Sequence, residues 1–225
     1  MKTKQFIVVG LGRFGRSVAK ELFEMGHEVL GVDKDEENVQ AIKEHLTHGI
    51  VGDVTREDLL SSLGVSNFDV LIVGVGSDYE ASILTVMMAK ELGVKKIVAK
   101  ASSINHLKVL YRLGADKVVI PERDIGRRVA HNLNFSSNII DVMELSEDFG
   151  ILEINALEEW WNKTLKESNI RLNHHLNVVA IRRTDKVYVN PSSEFIILKD
   201  DHLYVLGENE GLLDIERAEQ TKDGK

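Results

Sequence analysis

The sequence contains no cysteine, only two prolines, and few aromatic residues, which make up 6% of the chain. Without cysteine the chain cannot form a disulfide framework, present a thiol nucleophile or build a zinc site from cysteine ligands. Enzymes with a cysteine nucleophile, proteins with cysteine-ligated zinc and folds held together by disulfides are therefore excluded.

Positive charge is also scarce, because 28 basic residues stand against 36 acidic residues and give a net charge of −8 at pH 7. A broad basic face that wraps duplex DNA is thereby disfavoured, and we expect no nucleic acid partner. No apolar run approaches the roughly 20 residues that span a bilayer, and Met1–Gln5 leads into a strand-like segment rather than a signal peptide. We therefore expect a soluble protein of the cytoplasm.

The 225 residues suffice for two small domains. In the first part, short runs rich in valine and isoleucine alternate with helical patterns, which indicates an α/β fold with a Rossmann-type, doubly wound parallel sheet. We predict a nucleotide-binding domain over residues 1–134. The predicted strands are Phe6–Val9, Glu28–Val32, His48–Val51, Val70–Val73, Lys96–Ala99 and Lys117–Ile120. The predicted helices are Arg13–Met25, Glu36–Glu44, Thr55–Leu63, Asp78–Leu92, Ser103–Leu113 and Glu122–Asn134.

Beyond residue 134 the pattern changes to short strands, which predicts a small α+β domain over residues 135–225. Residues 135–138 resemble a linker, and the polar, acidic tail from Glu208 is expected to fray. The strands predicted in this domain are Ile139–Leu145, Ile151–Ala156, Val178–Arg182, Lys186–Val189 and Leu203–Leu206.

A glycine-rich loop follows the first predicted strand and fits the pattern G-x-G-x-x-G at Gly10, Gly12 and Gly15. In such a loop the first glycine permits a tight turn, the second lets a diphosphate approach the backbone, and the third lets helix and strand pack closely. Asp33 follows the middle glycine by about 20 residues, the spacing at which a carboxylate binds ribose hydroxyls. The alternative is that the glycines only build the turn and that Asp33 caps the next helix.

Charged side chains near the loop bear on the choice of ligand. Asp33 disfavours the 2′-phosphate of NADP by like-charge repulsion, although neighbouring Lys34 weakens this argument. Arg13 lies inside the loop, where a guanidinium suits a terminal phosphate; a solvent-facing helix residue is the alternative. Asp53 follows the third predicted strand and either reaches the adenosine part of a ligand or serves as a helix N-cap.

The residues of a hydride-transfer enzyme are not recognisable in the sequence. A nicotinamide dehydrogenase needs a proton donor or acceptor beside the hydride, yet Tyr79 and Tyr111 lie in helical patterns without a basic partner at a useful spacing. The eight histidines are scattered except for His174-His175, and neighbours on one helix point about 100° apart, which disfavours a shared metal. We predict a binding protein rather than an enzyme, with an NAD-dependent oxidoreductase and an NAD(H)-sensing regulator as alternatives.

Several short motifs together resemble one family. They are Gly10-Leu11-Gly12-Arg13-Phe14-Gly15, Gly52-Asp53, Gly74-Val75-Gly76, Lys100-Ala101, Leu113-Gly114-Ala115-Asp116, Pro121-Glu122-Arg123-Asp124, Ile170-Arg171, Asn177-Val178-Val179-Ala180-Ile181-Arg182-Arg183 and Pro191. Through this set the chain resembles, over nearly its whole length, the RCK (regulator of potassium conductance) subunits of Ktr-type potassium uptake systems. The last three motifs resemble the RCK C-terminal subdomain.

The resemblance implies a cytosolic ring, typically an octamer built from dimers, that binds ATP or ADP and docks on a potassium-translocating membrane subunit at the inner face of the cell membrane. Exchange of the nucleotide would change the shape of the ring and thereby gate transport. Arg13 is implied at the terminal phosphate, Asp33 at the ribose and Lys100 at the rim of the cleft. The full set of implied nucleotide-binding positions is Gly10, Gly12, Arg13, Phe14, Gly15, Asp33, Lys34, Asp53, Val54, Gly74 and Lys100.

The resemblance also implies two further ligands. Glu122 would hold a divalent cation such as Mg²⁺ or Ca²⁺, which prefers carboxylate oxygens; a first-turn acid that only favours the helix dipole is the alternative. Cyclic di-AMP would bind the C-terminal subdomain at Leu165, Ile170, Arg171, Asn177, Val178 and Pro191. The stretch Asn173–Leu176 departs from the family pattern, and Trp160-Trp161 is atypical, so a domain that only dimerises is the alternative.

One predicted helix bears on oligomerisation. The segment Ala81–Ala89 is apolar nearly all round, which predicts a helix that is buried on more than one side. Either the sheet and a partner copy cover it together, or it is fully covered within one chain.

Overall fold

The computed structural model describes residues 2–76, 78–134, 139–146 and 149–208. They divide into two compact units, the first ending at Asp124 and the second beginning at Ile125. The predicted linker at 135–138 and the tail beyond Glu208 lie outside the described residues. Among the residues described, no helix combines the length and the apolar character that crossing a membrane requires.

The first unit is built on a parallel sheet of six strands with the order β3-β2-β1-β4-β5-β6. Every predicted strand is confirmed, with ends that differ by at most one residue. The strands are β1 (Gln5–Val9), β2 (Glu28–Asp33), β3 (His48–Val51), β4 (Val70–Val73), β5 (Ile97–Lys100) and β6 (Lys117–Val119). The strand order reverses between β1 and β4, and ligands of doubly wound sheets bind at such a switch point, outside the carboxyl ends of the strands.

Helices cover both faces of this sheet. They are α1 (Arg13–Glu24), α2 (Glu36–Gln40), α3 (Glu57–Ser62), α4 (Tyr79–Glu91), α5 (Ile104–Arg112) and α6 (Pro121–Asn134). On one face Ile7 and Val9 pack in a core with Val86 and Leu110, and on the other face Val8 packs in a second core on the side of α1. The division between the two units falls inside α6.

One helix prediction needs correction. The helix predicted over Glu36–Glu44 ends at Gln40, and a short 3-10 turn follows over Lys43–His45, because the chain must turn back within a few residues to begin β3. The apolar helix α4 packs into the core through Val86, Met88 and Ala89. Because Ile83, Leu84 and Met87 are only half-buried in the single chain, the two ways of covering this helix both stay predictions.

The second unit contains an antiparallel sheet of five strands with the order β10-β9-β11-β8-β7. The strands are β7 (Ile139–Glu144), β8 (Phe149–Asn155), β9 (Asn177–Arg183), β10 (Lys186–Val189) and β11 (Asp201–Glu208). Two short helices that the sequence pattern did not predict, α7 (Leu165–Ser168) and α8 (Ile170–His174), precede β9. The core of this unit contains Leu152, Trp160, Ile181 and Leu203, so the predicted α+β class is confirmed.

Candidate functional site

The three glycines of the loop after β1 have different surroundings. Gly10 has a φ of +84°, and a side chain there would meet the backbone N of Val75 at 2.8 Å. A side chain at Gly15 would collide with the carbonyl oxygen of Gly10, so this glycine lets α1 pack against the loop. Gly12 differs, because nothing lies within 4 Å of the place its side chain would take. The chain therefore leaves open space in front of Gly12, as a ligand that approaches the backbone requires.

Helix α1 begins directly behind this space. Gly12 is its N-cap residue, and its first intrahelical hydrogen bond joins the N–H of Arg16 to the carbonyl of Gly12 over 2.9 Å. The first turn carries no acidic residue, so the positive end of the helix dipole is not neutralised by its own side chains. Helix N-termini of this kind bind phosphate groups. Arg13 is exposed here, and Phe14 packs into the adjoining core.

Asp33 is held at the end of β2 by two backbone groups. Its Oδ2 accepts a hydrogen bond from the N–H of Leu11 at 2.6 Å, and its Oδ1 accepts one from the N–H of Asp35 at 2.9 Å. The cap of α2 is Asp35, whose side chain accepts from Glu37. The alternative that Asp33 caps this helix is therefore wrong, and its carboxylate is fixed in the wall of the cleft.

Asp53 follows β3 and forms a local turn. The backbone N–H and the hydroxyl of Thr55 both donate to its Oδ1, at 3.0 and 2.8 Å. These hydrogen bonds hold the pKa of Asp53 below its usual value, the backbone bond most strongly. Because α3 begins at Glu57 and its N-cap is Arg56, the alternative that Asp53 is the N-cap is also wrong.

These groups line one cleft of about 500 Å³ at the carboxyl ends of β1, β2, β3 and β4. A cleft of this size suits a small-molecule ligand or cofactor. The predicted site residues that line it are Gly10, Gly12, Asp33, Lys34, Asp53, Val54 and Gly74. The wall also contains residues that sequence reasoning did not assign to the site, namely Val32, Asn38, Gly52, Thr55, Val75, Gly76, Asp78, Glu80, Ala81 and Leu84. Arg13, Phe14, Gly15 and Lys100 are not among its lining residues.

Asp78 connects two sides of the cleft. It is the N-cap of α4, where its Oδ1 accepts from the N–H of Ala81 at 3.0 Å. Its Oδ2 lies 3.7 Å from Nζ of Lys34, which follows β2. The signal that could have found Asp78 is its position just beyond the carboxyl end of β4, beside the switch point.

Lys100 and Glu122 are paired next to the cleft. Nζ of Lys100, at the end of β5, donates to Oε1 of Glu122 in the first turn of α6 over 2.6 Å. This hydrogen bond is the main reason that the pKa of Glu122 lies below its usual value, and the charge of Arg13 acts in the same direction. Three of the predicted site residues are therefore close enough to influence one another.

The carboxylate of Glu122 suits a cation whose remaining coordination positions are filled by oxygens of a bound nucleotide and by water. Within the described part of the chain, no group of three or more histidine and acidic residues is arranged to hold a metal ion. Mg²⁺, however, is commonly bound by one or two carboxylates together with water and phosphate oxygens. A single ionised carboxylate beside the glycine-rich loop could supply one such ligand, while the remaining oxygens would have to come from a bound nucleotide and water.

The predicted cyclic di-AMP positions lie in the second unit, around α8 and the start of β9. Ile170 is buried and Arg171 is exposed on α8. Antiparallel pairing of β10 with β9, continued by a hydrogen bond from Asn190 N–H to the carbonyl of Val179, carries Pro191 toward the beginning of β9. The remaining positions are Leu165 in α7 and Asn177 and Val178 in β9.

The two adjacent histidines take up separate places. His174 ends α8 and packs edge-to-face against Trp160, with ring centroids 5.7 Å apart, while its Nε2 lies 3.4 Å from Glu159 Oε1. His175 caps the helix in the left-handed conformation, with a φ of 56°. His174 is therefore part of the packing around Trp160.

Comparisons with known proteins cover nearly the whole chain. A family model described as TrkA-N domain matches residues 6–121, and one described as TrkA-C domain matches residues 151–219. Ktr system potassium uptake protein C of Bacillus subtilis is 43% identical, over 96% of this chain and 96% of its own length. Ktr system potassium uptake protein A of the same organism is 39% identical, over 94% and 99%.

Solved structures show the same fold. The GsuK RCK domain superposes with a TM-score of 0.68 at 18% identity, over 96% of this chain and 47% of that chain. The GsuK channel bound to NAD superposes with a TM-score of 0.66 at 18% identity, over 94% of this chain and 38% of that chain. This chain thus spans less than half the length of these structural relatives.

Proposed function

The chain belongs to the family of Ktr-type potassium uptake proteins that carry a TrkA-N and a TrkA-C domain, and we propose that it is a nucleotide-gated regulatory subunit of such a system. It controls potassium transport through a separate membrane subunit, on which it docks from the cytoplasmic side. The observation that carries this proposal is the cleft at the switch point, where open space at Gly12 meets the N-terminus of α1 and Asp33 stands fixed.

The preferred ligands of this cleft are ATP and ADP. Asp33 suits the ribose hydroxyls, and the helix N-terminus suits a diphosphate. Arg13 adds positive charge beside the loop, and its guanidinium favours a further, terminal phosphate. The charge of Lys100 is paired with Glu122. A nucleotide can shift the protein between two conformations only by its preference for one of them, so gating requires that ATP and ADP differ in that preference.

A divalent cation at Glu122 is the second component of the proposal. The carboxylate stays ionised at neutral pH, and Mg²⁺ or Ca²⁺ held there would share phosphate oxygens with the nucleotide. Cation binding would depend on the nucleotide, because the described residues contain no group of three or more histidine and acidic side chains that could hold a metal ion.

The second unit is proposed to bind cyclic di-AMP and to mediate assembly into dimers and an octameric ring. Arg171 and Asn177 would supply polar groups, and Ile170 an apolar wall.

An exposed apolar stripe on α6 supports assembly, because large exposed apolar patches mark interaction surfaces. The stripe consists of Ile125, Val129 and Leu133, which are 56%, 50% and 81% exposed.

An NAD(H)-sensing regulator or an NAD-dependent oxidoreductase is the second candidate, favoured by Asp33 and by the GsuK channel bound to NAD. We propose binding rather than catalysis, because the described residues that line the cleft include no histidine or tyrosine, and their lysine, Lys34, lies 3.7 Å from Oδ2 of Asp78 rather than free to transfer a proton beside a hydride.

Calorimetric titration of the purified chain with ATP, ADP, NAD⁺ and NADH, with and without Mg²⁺, tests the proposal. We expect adenine nucleotides to bind in preference to NAD⁺, with different affinities for ATP and ADP. Arg13→Ala should lower the preference for ATP over ADP, because its guanidinium is assigned to the terminal phosphate. Tight NAD⁺ or NADH binding without such a preference would contradict gating by ATP and ADP.

Cyclic di-AMP is titrated separately, against the wild-type chain and Arg171→Ala. We expect Arg171→Ala to bind cyclic di-AMP more weakly than the wild type. If the wild type gives no heat of binding, the cyclic di-AMP proposal is wrong and only a role in dimerisation is left for the second unit. Light scattering of the same samples measures the size of the assembly.

A further inference from the structure

The side chain of Lys100 is held in place beside Gly76, a residue of the cleft wall. It is only 17% exposed although it carries a charge. A side chain at Gly76, a residue of the cleft wall, would meet the Cδ and Cε atoms of Lys100 at 3.1 Å. The glycine therefore makes room for the lysine stem, which lies close against the backbone that lines the cleft.

The ammonium group at the end of this stem is committed to Glu122. The distance of 2.6 Å between Nζ and Oε1 is short for a charge-assisted hydrogen bond. The Glu122 side chain is 63% exposed, so the same carboxylate can be reached by an ion from solvent.

A divalent cation on Glu122 would meet the charge of this lysine. Metal ions and hydrogen-bond donors both lie about 2–3 Å from carboxylate oxygens, so the two would stand within about 5 Å of each other on one oxygen and within about 7 Å on the two oxygens of one carboxylate. Charges of equal sign at such a distance repel even in a medium of high dielectric constant. The cation must therefore either displace the ammonium group or bind against its repulsion.

We propose that Lys100 is an internal competitor of the divalent cation for Glu122, and that it sets the affinity of this place for cations. The inference rests on the cation role proposed for Glu122 and adds its regulation. The Lys100–Glu122 pair has no net charge, so a cation gains little there until the phosphates of a nucleotide supply further negative oxygens. Lys100 thereby makes cation binding depend on a phosphate-rich nucleotide.

Calorimetric titration of the full chain with MgCl₂ and CaCl₂, without nucleotide and with saturating ADP, tests this inference. Lys100→Met keeps a stem of similar length and removes the charge, and should tighten cation binding at least about tenfold. Lys100→Arg keeps the charge and should retain the wild-type affinity. Glu122→Gln should remove the site, alone and together with Lys100→Met.

Lys90→Met provides a matched control. The stem of Lys90 lies against Gly114 much as that of Lys100 lies against Gly76, and Lys90 is not among the described residues that line the cleft. Its loss should leave the cation affinity unchanged. Circular dichroism and thermal unfolding of each variant verify that it is folded.

The outcomes separate this inference from the proposed function. If Glu122→Gln weakens cation binding while Lys100→Met leaves it equal or weaker, the cation site stands and the competition is wrong. If Lys100→Met binds the cation and the wild type binds none even with saturating ADP, the competition stands and a cation role in the native protein is contradicted. If Glu122→Gln leaves the cation affinity unchanged in the wild type and in Lys100→Met, both the cation site and the competition are wrong. If Lys90→Met raises the cation affinity as much as Lys100→Met does, the competition is wrong.

Discussion

Two aspartates show how differently the two units use the same side chain. Asp33 in the first unit accepts hydrogen bonds from the backbone N–H groups of Leu11 and Asp35 and lines the cleft. Asp201 in the second unit is 1% exposed and accepts hydrogen bonds from Nε and Nη2 of Arg183 at 2.6 and 2.7 Å. The backbone fixes the carboxylate of Asp33 in the wall of the cleft, whereas the charge of Asp201 is neutralised by an arginine of its own chain.

The difference follows from the two sheets. A parallel sheet gathers the ends of its strands at one edge, where polar residues can face a ligand. In the antiparallel sheet, charged side chains on neighbouring strands stand opposite one another and pair. Arg182 contacts Glu153, and His202 lies 3.1 Å from the same carboxylate. We therefore expect substitutions of charged residues to change binding in the first unit and stability in the second.

The largest effect is expected for Asp201→Ala. Removal of a buried partner leaves the guanidinium of Arg183 without its counter-charge, and such losses cost about 3 kcal/mol of the free energy of unfolding. Urea unfolding measures this change, and Asp200→Ala, an exposed neighbour, is the matched control. A small loss in Asp201→Ala would contradict the view that this pair supports the fold.

A substitution at Gly12 should show the opposite behaviour. The backbone at Gly12 is extended, with a φ of −68°, and its surroundings are open, so Gly12→Val can fold without strain. The new side chain occupies the space for the ligand, and we expect ADP affinity to fall about 100-fold, or roughly 2.7 kcal/mol. The melting temperature should fall by only a few degrees, because valine is a poorer N-cap than glycine.

Gly126→Val is the control for this prediction, because a side chain at Gly126 also has nothing within 4 Å but lies in α6. It should bind ADP like the wild type. Equal loss of affinity in both variants, or unfolding of Gly12→Val, would break the comparison between the two units.

The smallest effect is expected for the pH dependence of the Lys100–Glu122 pair. The pKa of Glu122 in the folded chain lies below the usual value of 4.5, so the pair stabilises the fold above about pH 4.5 and its contribution is lost as the pH falls through the lowered pKa. Because the carboxylate is largely exposed, we expect only about 0.5 kcal/mol. Unfolding of the wild type and of Glu122→Gln between pH 3 and pH 7 measures it; a difference that grows toward low pH would contradict the sign.

The fold of the first unit could be predicted because its signals are local. Alternating apolar runs marked the strands, and Gly26, Gly64, Gly93 and Gly114, which follow the ends of helices, have positive φ, a pattern typical of helix C-termini. The short helices α7 and α8 escaped the periodicity argument, since four or five residues do not complete two turns. A capping box of Thr164 and Glu167 begins α7, and its S/T-x-x-E spacing was the available signal.

The site was predictable only where one segment supplies both the residue and its role. Gly12 and Asp33 belong to a motif of fixed spacing, and both line the cleft. The ion pair of Lys100 with Glu122 and the contact of Lys34 with Asp78 join residues from different strand ends. Their partners depend on how the strands are ordered in the sheet, which spacing in the sequence does not reveal.

The fixed carboxylate of Asp33 also has a consequence for the speed of nucleotide exchange. Because two backbone N–H groups already hold both oxygens, the side chain need not search among rotamers when a nucleotide arrives, and little ordering entropy is lost. Related nucleotides should then associate at similar rates, and differences in their affinity should appear in their dissociation rates. Under the proposed gating, the residence time of the departing nucleotide would thus set the rate at which the protein responds to a change in the ratio of ATP to ADP.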